Sequence, residues 1–141
     1  MGIIDRLFRK RAARATPLDE ARKILERYTG ATLAGVDPED IGRYPPKQRQ
    51  AMAFHFGAIQ YLAEDYELDE TQTLALFVMF LNRYFNLPVS ETGSISQLLD
   101  GFQSNPRERE FLAAGVEIFR RWHLRNDRRA PLQLGEMLKR G

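Results

Sequence analysis

Cysteine is absent from this 141-residue chain, and long hydrophobic runs are absent as well. Without cysteine there are no disulfides, no thiolate metal ligands and no cysteine nucleophile, which suits a reducing compartment. The longest apolar run covers residues 74–81, whereas a membrane-spanning helix needs about 20 apolar residues. The sequence therefore predicts a cytoplasmic protein, with membrane association of the peripheral kind only.

Motifs that carry enzymatic chemistry are also missing. Only two histidines occur, His55 and His123, and they lie on different predicted helices. No nucleophile elbow, phosphate loop, zinc-protease motif or dinucleotide fingerprint is present. The acidic stretch 64–70 departs from a calcium-binding loop, because Glu70 replaces the required glycine and Leu76 replaces the bidentate glutamate. We therefore predict no enzymatic activity, cofactor or metal, and keep a small helical enzyme or metal-binding domain as the last alternative.

Strand signals are scarce, whereas helix-start signals recur along the chain. Thr16-Pro17 and Asn105-Pro106 each place a capping residue before a proline, and Asp69 with Gln72 forms a predicted capping box. We predict an all-α fold, a single compact bundle of five to seven helices over residues 16–141. Residues 70–86 are apolar on almost every side, which predicts that they form the central buried helix.

Charge is unevenly distributed although the net charge is only +2. Residues 57–104 contain one basic and seven acidic side chains. The segments before and after them each carry four more basic than acidic side chains. This segregation predicts either attraction between parts of the fold or basic surfaces that meet an anionic partner.

The first 15 residues form a basic amphipathic segment that precedes the predicted helical domain. At 100° per residue the apolar side chains share one side and the basic ones face away. Such a segment is typical of weak, reversible binding to an anionic membrane surface. The predicted contact residues are Ile3, Ile4, Arg6, Leu7, Phe8, Arg9 and Lys10.

Two further surfaces are candidates for binding. On the predicted helix 46–65, a second apolar strip is either packed internally or exposed as a protein interface; it contains Phe54, Gly57, Ala58 and Tyr61. A C-terminal basic cluster could contact nucleic acid together with the basic N-terminus; it contains Arg120, Arg121, Arg125, Arg128 and Arg129. We predict a non-enzymatic interaction or adaptor protein that binds an unidentified protein partner through a helical surface. Nucleic-acid binding is the alternative.

Overall fold

The chain folds into helices throughout the parts that can be described. The computed structural model describes residues 16–85 and 92–140, with side chains described from residue 95 onward in the second range. These ranges contain seven α-helices, one 3-10 turn and no strand, which confirms the predicted all-α class. The elements are α1 (Pro17–Ala34), α2 (Pro38–Arg43), α3 (Pro45–Asp65), α4 (Glu70–Phe85), α5 (Thr92–Ser104), α6 (Pro106–Arg125), the 3-10 turn (Ala130–Leu132) and α7 (Gln133–Arg140).

Capping side chains set the starts of three helices as the sequence predicted, since Thr16, Asp69 and Asn105 each accept a hydrogen bond from an amide of the first turn. The Thr16 hydroxyl accepts a hydrogen bond from the Asp19 amide at 3.2 Å. At α4 the capping box is complete, since the Asp69 amide donates to Gln72 Oε1 and the Gln72 amide donates to Asp69 Oδ1. Each of these bonds satisfies an amide that the first helical turn leaves without an intrahelical partner.

Helix α1 is longer than the sequence indicates. Gly30 is a natural stop signal and predicts an end near residue 29, but the helix continues to Ala34, with Gly35 as its C-cap. Thr32, beyond the expected end, is fully buried. Tertiary packing of the last turn therefore outweighs the low helix propensity of glycine.

The central helix is α3, and the prediction that residues 70–86 occupy this position is wrong. All nine residues from 51 to 59 are buried, and α3 contacts α1, α2, α4, α6 and α7. In α4, by contrast, Leu74 and Met79 are each 37% exposed. The apolar run 74–81 thus has a solvent-facing side, whereas α3 is enclosed because it packs on both of its apolar strips.

Helices α3 and α6 lie parallel and in close contact. The residues in contact occur in the same order along both helices. Arg49 pairs with Glu108 near the start of each helix, and Tyr61 contacts Phe119 further along. Two glycines allow the approach: a Cβ at Gly57 would overlap the Leu112 carbonyl oxygen, and one at Gly115 would overlap that of Phe54. Since real Cβ atoms do not come so close to a backbone oxygen, this packing requires glycine at both positions.

Candidate functional site

The sequence predicts three candidate binding surfaces, and the structure describes two of them. The N-terminal surface-binding residues lie outside the described part of the chain, and their role stays a prediction; they are Ile3, Ile4, Arg6, Leu7, Phe8, Arg9 and Lys10.

The apolar strip offered as a protein interface is internal. Phe54 and Ala58 are fully buried, Gly57 is buried against α6, and Tyr61 is partly buried with its ring 5.4 Å from that of Phe119. The interface reading of this strip is therefore corrected to internal packing. The small residues of the strip, Gly57 and Ala58, were the sequence signal for internal packing, because they permit the close approach of α3 and α6.

The C-terminal basic cluster does not form one uniform surface. Arg121 donates to Asp127 at 3.0 Å and is only partly exposed, and Arg120 lies 3.9 Å from Glu117. The hydrogen bond from Arg121 is the main reason that the pKa of the Asp127 carboxyl is held below its usual value. The remaining three, Arg125, Arg128 and Arg129, are exposed and have no carboxylate within 4.0 Å among the described residues. Two of the five predicted contact arginines thus serve local ion pairs.

The histidines lie in different surroundings. His55 is fully buried, with Nδ1 2.7 Å from the Ala51 carbonyl oxygen and Nε2 2.6 Å from the Thr32 hydroxyl. His123 is partly exposed, and its ring stacks on Phe119 at 5.3 Å. Burial lowers the pKa of His55 to about 4, so the imidazole is neutral near pH 7.

The neutral form of His55 satisfies its own hydrogen bonds. Nδ1–H donates to Ala51, and Nε2 accepts from the Thr32 hydroxyl, which could alternatively donate to the Thr29 carbonyl at 2.9 Å. Because the ring is fully buried and both of its nitrogens have partners within the core, this geometry accounts for His55 as a packing residue. Nor do the described residues include any group of three or more histidine and acidic side chains arranged to hold a metal ion.

A groove between α1 and α4 is one of the concave surfaces that the described residues outline. We call it the α1–α4 groove; it has a volume of about 530 Å³ and is lined by Arg22, Leu25, Glu26, Met79, Phe80, Asn82, Arg83 and Tyr84. Leu25 and Phe80 are buried and form its floor, and the partly exposed Met79 forms one wall. The methionine side chain is unbranched and flexible, so it adapts to differently shaped apolar partners.

The rim of the α1–α4 groove is charged and ordered by ion pairs. Arg22 and Arg83 approach the same oxygen of Glu26, Oε1, at 2.9 and 3.1 Å. The Arg83 guanidinium also lies over the Tyr84 ring, 5.6 Å from its centroid. Arg22 also lies 3.9 Å from Asp19, so the charges at the rim are partly balanced, and each guanidinium keeps further N–H donors for another acceptor.

A second depression continues on the far side of Tyr84. It has a volume of about 380 Å³ and is lined by Leu33, Val36, Pro38, Ile41, Gly42, Gln48, Tyr84 and Phe85. Since Tyr84 lines both depressions, they follow α1 from Arg22 to Leu33. At about 1.5 Å per residue, this distance along the helix is about 16 Å, or three helical turns.

The groove residues were not among the predicted site residues. The pair Arg22 and Glu26 has helical i,i+4 spacing, a local signal that was present in the sequence. The approach of Arg83 to Glu26 joins residues 57 positions apart, and it depends on how α1 and α4 pack. No local pattern carries that information.

Comparison with known proteins adds no assignment. Within the described ranges, no helix combines the length and the apolar character needed to cross a membrane. Searches with the chain against protein-family models, characterised proteins and solved structures return no significant match.

Proposed function

We propose that this protein is a non-enzymatic interaction or adaptor protein that binds a protein partner in the α1–α4 groove. The observation that carries this proposal is the combination of an apolar floor with a rim of arginines at one open site. A groove of this kind between two helices accepts an amphipathic segment of a partner protein. The methionine wall favours such binding over recognition of one rigid small molecule.

We also propose that the N-terminal segment makes a second, weaker contact with an anionic membrane surface. Ile3, Ile4, Leu7 and Phe8 would enter the interface of an anionic membrane, while Arg6, Arg9 and Lys10 would meet its lipid headgroups. Such binding is reversible, since four large apolar side chains contribute only about 1.5–3 kcal/mol each when fully buried. Its role would be to concentrate the groove near a membrane surface.

Site-specific photo-crosslinking tests the proposal. A photoreactive amino acid replaces Met79 in the groove, and in a matched control it replaces the exposed Arg109 on α6. After irradiation in cells, we expect position 79 to give a discrete crosslinked species that position 109 does not give. Equal patterns at both positions, or no crosslink at position 79, would reject the groove as the binding site.

Nucleic-acid binding is a second candidate because three exposed arginines remain near the C-terminus. Arg125, Arg128 and Arg129 could each contact a phosphate. If they do, replacing one of them with alanine should weaken binding to any DNA or RNA sequence and lower the salt slope by about one. Affinity that is unchanged in all three variants would remove this candidate.

A further inference from the structure

We infer that the segment bound in the α1–α4 groove is an amphipathic helix whose apolar face is flanked by Asp or Glu. This inference rests on the proposed function and specifies the chemistry of the partner. The shape of the groove and the charge of its rim support this inference, and two other occupants fit the groove poorly.

The shape of the groove fits one face of a short helix. Its floor is formed by Leu25 and Phe80, and Met79 stands beside them at 37% exposure. Tyr84 separates this part from the second depression, so that two apolar pockets follow one line. Apolar side chains at positions i, i+3 or i+4, i+7 and i+11 of a partner helix span about 16 Å, which matches the length over which the two pockets follow α1.

The charge of the rim selects acidic flanks. Three carboxylates and four cations occupy the accessible positions of α1 between residues 19 and 27 and the end of α4, an excess of one positive charge; they are Asp19, Glu20, Glu26, Arg22, Lys23, Arg27 and Arg83. Side chains of Arg22 and Arg83 are 35% and 60% exposed, although both contact Glu26. A guanidinium has five N–H donors, so each can bind a partner carboxylate without leaving Glu26.

Two other occupants fit the groove poorly. The protein's own N-terminal segment carries Arg6, Arg9 and Lys10, which have the same sign as the rim and would be repelled by it. Nucleic acid would meet the rim arginines through its phosphates but would leave the apolar floor uncovered. An acidic amphipathic helix satisfies the floor and the rim together.

A displayed library of amphipathic helices provides the test. The library keeps apolar residues at the face positions and varies the flanking positions among Glu, Lys, Gln and Ser. It is selected on the full-length protein, and binders are then compared on four variants: Met79→Asp, Arg83→Glu, Arg83→Lys and, as a control outside the groove, Arg109→Glu. Circular dichroism checks that every variant is folded.

We expect the selected helices to be enriched in Glu over Lys and to lose binding to Met79→Asp. Arg83→Glu should weaken binding about tenfold or more, and Arg83→Lys should do so much less, because it retains the charge. A Lys-flanked version of the winning helix should recover affinity for Arg83→Glu. This exchange tests charge complementarity independently of any effect of the variant on folding.

Different negative results would contradict different parts of the proposal. Enrichment of Lys-flanked helices that still require Met79 would overturn the acidic partner while leaving the groove as a binding site. Helices whose binding ignores both Met79→Asp and Arg83→Glu would overturn the inference and move the interaction surface elsewhere. If no helix is selected and position 79 gives no crosslink, both the inferred acidic helix and the proposed function are rejected.

Discussion

His55 is a titratable group enclosed completely by the core, and its burial makes stability depend on pH. Its pKa is lowered to about 4 from an ordinary value of 6.5. Between these values the unfolded chain binds a proton that the folded chain does not bind. The contribution of His55 to the free energy of unfolding is therefore fully present above pH 6.5 and is lost as the pH decreases toward 4. The full loss is about 3 kcal/mol.

The variant His55→Leu should remove this contribution. The Thr32 hydroxyl retains the Thr29 carbonyl as an acceptor, so the substitution does not leave it unpaired. Denaturant unfolding of both proteins between pH 5 and pH 7 measures the difference in slope, which should approach about 1.4 kcal/mol per pH unit. Identical slopes would show that the imidazole is hydrated or charged in the folded state.

Gly115 is a residue whose replacement by alanine should be costly. The added methyl group would overlap the Phe54 carbonyl oxygen, a backbone atom that cannot rotate away. We expect Gly115→Ala to destabilise the fold by roughly 1–3 kcal/mol through overpacking. Gly30→Ala is the control, since nothing lies within 4 Å of its added Cβ, and it should stabilise by about 0.4–1 kcal/mol.

Chemical denaturation of these two glycine variants separates the two effects by sign. A Gly115→Ala midpoint at or above that of the parent would mean that α3 and α6 are farther apart than described. At this scale the capping side chains were predictable, because Thr16 and Asp69 act on amides three residues away. The different roles of Gly30 and Gly115 were not, since they depend on what lies across from each glycine.

At the scale of an element, α4 has a buried side and a side open to solvent. Phe77 is fully buried, and its ring lies 4.8 Å from that of Phe56. Leu74, one turn earlier, is 37% exposed. We expect Phe77→Ala to cost roughly 3–5 kcal/mol and Leu74→Ala about 1 kcal/mol or less, measured as loss of unfolding free energy.

Equal costs for these two substitutions would contradict the described orientation of α4. The helix was predictable from its capping box and its length, but its position was not. Hydrophobicity alone made residues 70–86 the expected centre. The enclosed helix is instead α3, whose contact with α6 depends on Gly57, a residue that hydropathy scales treat as weakly apolar.

At the scale of the whole molecule, the N-terminal segment and the helical body are expected to act separately. Helix α1 has its own cap at Thr16 and begins at Pro17. Deletion of residues 2–15 should therefore leave the unfolding transition nearly unchanged. It should abolish any binding to anionic vesicles, to which each Lys or Arg near the surface contributes about 1 kcal/mol.

Vesicle co-sedimentation with anionic and neutral lipids, at low and physiological salt, measures this binding for both forms. Equal sedimentation of the full-length and truncated proteins, or of neither, would reject the anchor. An unfolded truncated protein would mean that Leu7 and Phe8 belong to the core.

The α1–α4 groove shows why a binding surface is harder to predict than a fold. Arg22 and Glu26 are neighbours on one helix, and their pairing can be anticipated from spacing. Arg83 and Tyr84 complete the same site from a distant segment. The charge pattern of the sequence assigned residues 57–104 to an acidic region, yet its single basic residue, Arg83, lies at this positive rim.

The parallel arrangement of α3 and α6 has a consequence for synthesis of the chain. The ring contact between Tyr61 and Phe119 joins residues 58 positions apart, so the main apolar surface of α3 emerges well before its cover is made. At about 5–20 residues per second, this interval lasts several seconds. A nascent chain ending at residue 104 should therefore bind chaperones and be degraded by a protease, whereas a chain released after residue 140 should resist both. Pulse proteolysis of stalled ribosomal complexes would measure the length at which protection first appears.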